Sequence, residues 1–209
     1  MMSFVRATAY FGRIAGIVLL AGGIAAQAAP AKSTAHVYVL SGLLSLSPGL
    51  DDLAEKIRHA GVPATVHNHT LWSTLATEVT AQYKRGELRS IAIIGHSLGG
   101  GAALDMAAEL GQAGVPVDIL VAVDSVGTSE VPPNVRRTVN FYVEGGLGSP
   151  MQGAPGAHGT IQNVVDSSEA TTHWTIMAAH ERELIRYVLT ATRSGARAAQ
   201  AQNTPTASR

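Results

Sequence analysis

Short apolar runs alternate with longer amphipathic segments from His36 onward, and the alternation predicts strands and helices in turn. Residues 36–40 (HVYVL) read as a buried strand. Pro48 and Gly49 lead into Leu50, Leu53 and Ile57 at helical spacing, with Asp51 and Asp52 near the helix start and Gly61 closing it. Residues 64–67 make a second short strand. A helix over about 70–85 follows, with Leu71, Leu75 and Val79 on one face and Gly86 past its end. The run 89–94 (RSIAII) ends in consecutive apolar residues, which fits a strand covered on both faces in a parallel sheet.

An alanine-rich helix over 97–111, a strand over 117–123, another over 138–143 and a final helix over about 174–192 complete the pattern. The glycine- and proline-rich stretch 144–159 is expected as loop, and 161–165 as a short edge strand. The polar, alanine-rich tail 194–209 is expected to be disordered. No internal repeat is present. This order specifies an α/β fold with a doubly wound, mostly parallel sheet.

The N-terminus stands apart. Arg6 and Arg13 precede a nearly uncharged run over 14–26 (IAGIVLLAGGIAA), followed by Ala26-Gln27-Ala28 and Pro30. A positive start, a short apolar stretch and an A-x-A site mark a secretory signal peptide over 1–28, which leaves 29–193 as the folded domain. The apolar run is shorter than the roughly 20 residues a spanning helix needs, so no stable membrane span is expected in the mature form. A periplasmic or secreted location follows.

Composition narrows the chemistry. The 209 residues are 46% hydrophobic and 14% charged, which suits one globular domain. Removal of 1–28 takes two of the 15 basic residues and none of the 15 acidic ones, leaving a net charge of −2. So small and mixed a charge does not imply nucleic acid or an anionic membrane as partner. Cysteine is absent, which excludes disulfides, thiol nucleophiles and cysteine-ligated metals.

Gly95-His96-Ser97-Leu98-Gly99 sits where an apolar strand turns directly into a helix. A G-x-S-x-G match is weak by itself in a chain with 22 glycines, but its context is specific. The sharp turn strains the serine backbone, and the small flanking residues let strand and helix approach closely. The hydroxyl then projects at the top of the sheet near the positive end of the helix dipole. Gly100 and Gly101 extend the close contact, and neither glycine-rich phosphate-loop pattern is present.

On these residues the chain resembles the α/β-hydrolase superfamily, in particular small lipase- and thioesterase-like members without a cap domain. The resemblance covers Ser41-Gly42-Leu43 after the first strand, the serine turn, Val123-Asp124 after the next strand and a late histidine before the last helix. It implies Ser97 as nucleophile, with acid and histidine following in that order. It places the base at His173, after the last strand; His180 and His158 are expected to face solvent, and His96 is expected to be a packing residue. Of two acids ending strands beyond the serine, Asp124 is favoured over Glu144. The Asp124 strand directly follows the nucleophile helix, and Gly145 and Gly146 suggest a mobile loop around the glutamate. Asp166 is a distant third. The oxyanion donors are expected to be the N–H groups of Leu98 and Leu43, although the family's usual His-Gly turn is here Ser41-Gly42-Leu43-Leu44. Leu43, Leu44 and Leu46 suit an acyl pocket or a core cap equally well.

His67-Asn68-His69 raises a metal hypothesis, since i, i+2 spacing in an extended segment puts both rings on one face. No carboxylate or cysteine cluster completes it, and neither metal nor cofactor is expected. The segment 125–136 is too short for a helical lid. The expected function is hydrolysis of a small-molecule or lipid-like acyl ester or thioester through an acyl-enzyme. The alternative is a non-catalytic ligand-binding protein on the same fold, or an acyltransferase or amidase that differs only in the acyl acceptor or the bond cleaved.

Overall fold

The computed structural model describes residues 34–202. The proposed signal peptide lies outside them. Among the described residues, eight strands and four α-helices follow one another: β1 Ala35–Ser41, α1 Leu50–His59, β2 Ala64–Asn68, α2 Trp72–Lys84, β3 Ser90–His96, α3 Leu98–Gln112, β4 Ile119–Val123, β5 Glu130–Val131, β6 Arg137–Val143, β7 Gln152–Gly153, β8 Thr160–Asp166 and α4 Ile176–Gln202. Single 3-10 turns at Leu43–Ser45 and His69–Leu71 precede α1 and α2.

Six strands form one sheet in the order β2-β1-β3-β4-β6-β8, and every pairing is parallel. This is the doubly wound α/β sheet that the alternating pattern predicts. The reason is legible in β1 and β3. Val37, Val39, Ala92 and Ile94 face one core with Leu53 and Ile57 of α1 and Leu184 and Val188 of α4. Tyr38, Leu40, Ile91 and Ile93 face a second core with Leu75 and Val79 of α2 and Leu104 and Met106 of α3. Each strand is therefore apolar on both sides, as burial of a parallel sheet between two helical layers requires. In α1, Asp51 and Asp52 lie in the first turn and Lys56, Arg58 and His59 in the last, matching the helix dipole at both ends.

Several elements differ from expectation. Val117 makes only an isolated bridge to Val135, and β4 starts at Ile119. The intervening Asp118 turns its carboxylate onto Ser90 Oγ (2.6 Å), Ile91 N–H (3.2 Å) and Arg136 Nη1 (2.7 Å). The stretch 144–159 is not all loop, because β7 pairs with β5. It is also tied down: Asn163 accepts from Met151 N–H and donates to its carbonyl, and Asn140 donates to Ser149 O. The tail expected to be disordered from Ser194 is helical through Gln202, as the alanine-rich composition favours. At Gly195 this helix passes so close to the sheet end that a Cβ would lie 2.5 Å from Asp118 Oδ2.

The described chain enters the sheet one strand in from its edge, at β1, steps out to the edge at β2, and returns to β3 on the other side of β1. In open α/β sheets a ligand crevice forms outside the carboxyl ends of the strands where the order reverses in this way. Here that place lies between the loops that leave β1 and β3, which carry Gly42-Leu43 and Ser97.

Candidate active site

Ser97 has φ 60° and ψ −127°, a backbone conformation sparsely populated by residues with a side chain. It is held there by its neighbours. Its N–H donates to Val123 O (3.0 Å), and its carbonyl accepts from Val126 N–H (2.9 Å) and Gly100 N–H (2.9 Å). The glycines around it are sterically required. A Cβ on Gly95 would lie 2.1 Å from Gly99 O, and one on Gly99 would lie 2.1 Å from Leu40 O. Strand β3 and helix α3 thus meet backbone to backbone, and the serine sits at the point of the turn.

Strands β3 and β4 pair His96 with Val123, so the next residue on each, Ser97 and Asp124, leaves the sheet at the same level. Asp124 also has a positive φ, of 42°, and is completely buried. Its Oδ1 accepts from Val143 N–H (3.1 Å) and Gly148 N–H (3.0 Å). Its Oδ2 accepts from His173 Nδ1 at 2.6 Å. A buried carboxylate with three donors is fully satisfied, and it holds the imidazole with the proton on Nδ1 and the lone pair on Nε2. Glu144 is exposed, and among the described residues only its backbone is engaged, through an N–H to Asp166 O (2.9 Å). Further along the same loop, Gly148 N–H is bonded to Asp124 Oδ1.

His173 lies in the loop before α4, with the edge of the Trp174 ring 5.1 Å away between centroids and the His96 ring at 4.7 Å. Among the described residues, Ser97 Oγ makes no hydrogen bond. Nucleophile–base bonds are commonly long in unliganded sites and tighten on substrate binding. His158 is exposed as expected. His180, expected to face solvent, is instead wedged between Asp166 (2.9 Å) and Glu183 (2.9 Å) with its ring against Phe141. This ties α4 to the end of β8.

Leu98 begins α3, and Leu43 begins the 3-10 turn after β1. Among the described residues neither N–H donates to a protein acceptor. The loop carrying Leu43 is pressed against the serine: a Cβ on Gly42 would lie 3.0 Å from Ser97 Cβ. The Gly42–Leu43 peptide is oriented by Ser45 N–H (3.2 Å) and His69 Nδ1 (3.1 Å), which both donate to Gly42 O. The side chains of Leu43 and Leu46 are more than half exposed, so they do not cap the core. A groove of about 330 Å³ opens beside Leu98, lined by His69, Thr70, Trp72, Ala102, Asp105 and Thr128.

The same-face arrangement expected of His67 and His69 does not form, because β2 ends at Asn68 and His69 begins a turn. Asn68 Oδ1 caps that turn through Thr70 N–H (3.0 Å), while His67 contacts Thr65 Oγ1 at 2.8 Å. Two further residues, His96 and Ser47, belong beside the site. His96, read as packing, is fully buried and polar at both ring nitrogens, and burial holds its imidazole below the usual range. Its partner Ser47 carries no signal in sequence. A histidine ending an apolar strand does carry one, since a buried imidazole must find partners.

No protein-family model and no curated protein matches the chain. Solved structures do. Human thioesterase 2 aligns with a TM-score of 0.53 over 78% of this chain and 97% of its own, at 9% identity. An α/β-superfamily hydrolase of Xanthomonas campestris pv. campestris aligns at TM-score 0.42 and 16% identity, covering 79% of this chain and 98% of its own. An acetylxylan esterase gives 0.45 and 13%, covering 77% and 99%. The fold is that of the α/β hydrolases.

Proposed function

We propose that this chain is an exported serine hydrolase that cleaves carboxylic esters or thioesters through an acyl-enzyme. The observation that carries the reading is the fully buried Asp124 carboxylate, 2.6 Å from His173 Nδ1 and one residue beyond the β-pair that also delivers Ser97. A carboxylate so placed fixes the imidazole tautomer whose Nε2 can accept a proton. No structural need for a strained serine at the adjacent turn accounts for that arrangement.

In the proposed mechanism Ser97 Oγ attacks the acyl carbon as its proton passes to His173 Nε2. Asp124 stabilises the imidazolium. The oxyanion is met by the free N–H groups of Leu98 and Leu43, with the positive end of α3 behind Leu98. Collapse of the tetrahedral intermediate breaks the bond to the leaving alcohol or thiol, which takes the proton from His173. Water, deprotonated by His173, then attacks the acyl-enzyme and releases the acid with Ser97 restored. Between β4 and β6 the chain holds only β5, so the serine is not covered by an inserted domain and water reaches the acyl-enzyme directly. The groove beside Leu98 accommodates one side of a small-molecule or lipid-like substrate. Human thioesterase 2 shares the fold, which keeps thioesters within the proposed class.

The proposed location outside the cytoplasm rests on the basic, apolar and A-x-A succession over 1–28. A panel of p-nitrophenyl esters and acyl thioesters of increasing chain length tests the activity. We expect turnover that Ser97→Ala abolishes; turnover that survives this substitution refutes the reading.

A further inference from the structure

The side chains of Ser47 and His96 form a buried connection between the two loops that the proposed chemistry depends on. Gly42 N–H donates to Ser47 Oγ at 2.8 Å, Ser47 Oγ lies 2.9 Å from His96 Nδ1, and His96 Nε2 lies 2.9 Å from the carbonyl oxygen of His173. His96 is fully buried and Ser47 nearly so. Only one pattern of protons satisfies all three contacts. The His173 carbonyl can only accept, so His96 Nε2 carries the hydrogen. Burial keeps the ring neutral, so Nδ1 offers a lone pair and accepts from the Ser47 hydroxyl. Ser47 Oγ is then free to accept from Gly42 N–H.

We propose that His96 is a positioning residue for the hydrolytic reaction: as a neutral Nε2–H imidazole it holds the backbone of His173 and, through Ser47, the Gly42–Leu43 oxyanion loop at fixed places relative to Ser97. The inference rests on the serine-hydrolase reading above. Both loops need such a tether. Gly42 leaves β1 into a single 3-10 turn. His173 lies between β8 and α4, and among the described residues its backbone carbonyl is bonded only to His96. Asp124 sets the direction of the His173 ring, whereas His96 sets where its backbone stands. Because His96 is covalently joined to Ser97, both distances are referred directly to the nucleophile.

The test compares His96→Gln, His96→Phe and Ser47→Ala with the parent enzyme and with Ser97→Ala. An amide spans nearly the same donor-to-acceptor separation as the imidazole, so Gln can donate to His173 O and accept from Ser47, whereas Phe fills the space and does neither. Measured per active site titrated with a fluorophosphonate, His96→Phe is expected to lower kcat on p-nitrophenyl acetate about 10²-fold with KM within threefold, as a misplacement near 1 Å does. His96→Gln should restore kcat to within tenfold of the parent. Ser47→Ala, which leaves His96 and His173 joined, should lower kcat about tenfold and serves if the Phe variant does not fold. In ¹H–¹⁵N spectra at pH 7, His96 should be the neutral Nε2–H tautomer. The proposal is overturned if Phe or Ala variants keep kcat within threefold of the parent, if Gln and Phe lower it equally, or if the spectrum shows the Nδ1–H tautomer. If Ser97→Ala itself remains active, the hydrolase reading fails; if Ser97→Ala is inactive while the His96 and Ser47 variants are normal, only the positioning role fails.

Discussion

Replacing Asp124 by asparagine tests the proposed base and acid together, because the structure dictates how the new amide must sit. Asp124 Oδ1 accepts from Val143 N–H and Gly148 N–H, and both donors stay in place in the variant. The amide oxygen of the substituted side chain must therefore occupy the Oδ1 position, which turns its NH₂ toward His173 Nδ1. Nδ1 then becomes the acceptor and the ring proton moves to Nε2, where it faces the serine and cannot take the hydroxyl proton. The same isosteric exchange in a serine-protease triad lowers kcat by about 10⁴, or roughly 5.5 kcal/mol of transition-state stabilisation. We expect a loss of that order here, with KM changed little. Every buried polar atom keeps a partner, so the melting temperature should fall by less than about 4 °C. Initial rates on an activated ester measure the loss, and Glu144→Gln, at an exposed side chain, should change them less than twofold. An Asp124→Asn enzyme within tenfold of the parent, or one more active than Glu144→Gln, would refute the assignment.

Gly95→Ala should destabilise the fold, since its Cβ would lie 2.1 Å from Gly99 O and overpacking of this kind costs about 1–3 kcal/mol or more; urea unfolding of the variant measures it. His36 is held near pKa 4 by burial, with the neighbouring His67 adding to the effect, so its contribution to stability is complete above pH 6.5 and is lost as the pH falls towards 4. The full shift would correspond to about 3 kcal/mol, discounted for partial exposure to about 2 kcal/mol. As the pH falls through that window the parent should lose about 2 kcal/mol of unfolding free energy relative to His36→Gln, whose amide does not titrate. Expression with an intact N-terminus should give an exported protein whose mass begins at Ala29; a mass retaining Met1 would show an anchor instead.

Much of the sheet was legible because a parallel strand buried on both faces leaves an uninterrupted apolar run. The segment 91–94 is such a run, and β3 is completely buried. The glycines of the serine turn were legible for a similar reason, since close backbone approach excludes side chains. Other features depend on contacts distant in sequence. β4 starts late because Asp118 reaches Ser90 and Arg136, and the glycine-rich stretch is ordered because Asn140 and Asn163 hold it. Local composition carries neither contact. The choice of Asp124 over Glu144 can be argued from strand order, because β4 follows the serine helix and pairs with β3. What sets the two acids apart is the pair of backbone donors, Val143 and Gly148, that orient Asp124 toward His173. His96 is buried as expected of a packing residue; its bonds at both nitrogens depend on Ser47 and His173, which are distant in sequence.

The central claim is that Ser97 is an activated nucleophile, and covalent labelling by a fluorophosphonate tests it without knowledge of the substrate. The labelled protein is digested and the modified residue located by mass spectrometry, with Ser97→Ala and Asp124→Asn labelled in parallel. We predict one adduct per chain, on Ser97, absent from Ser97→Ala and formed far more slowly in Asp124→Asn. A folded parent protein that takes no label, or takes it on another serine such as Ser45 or Ser125, would contradict the account.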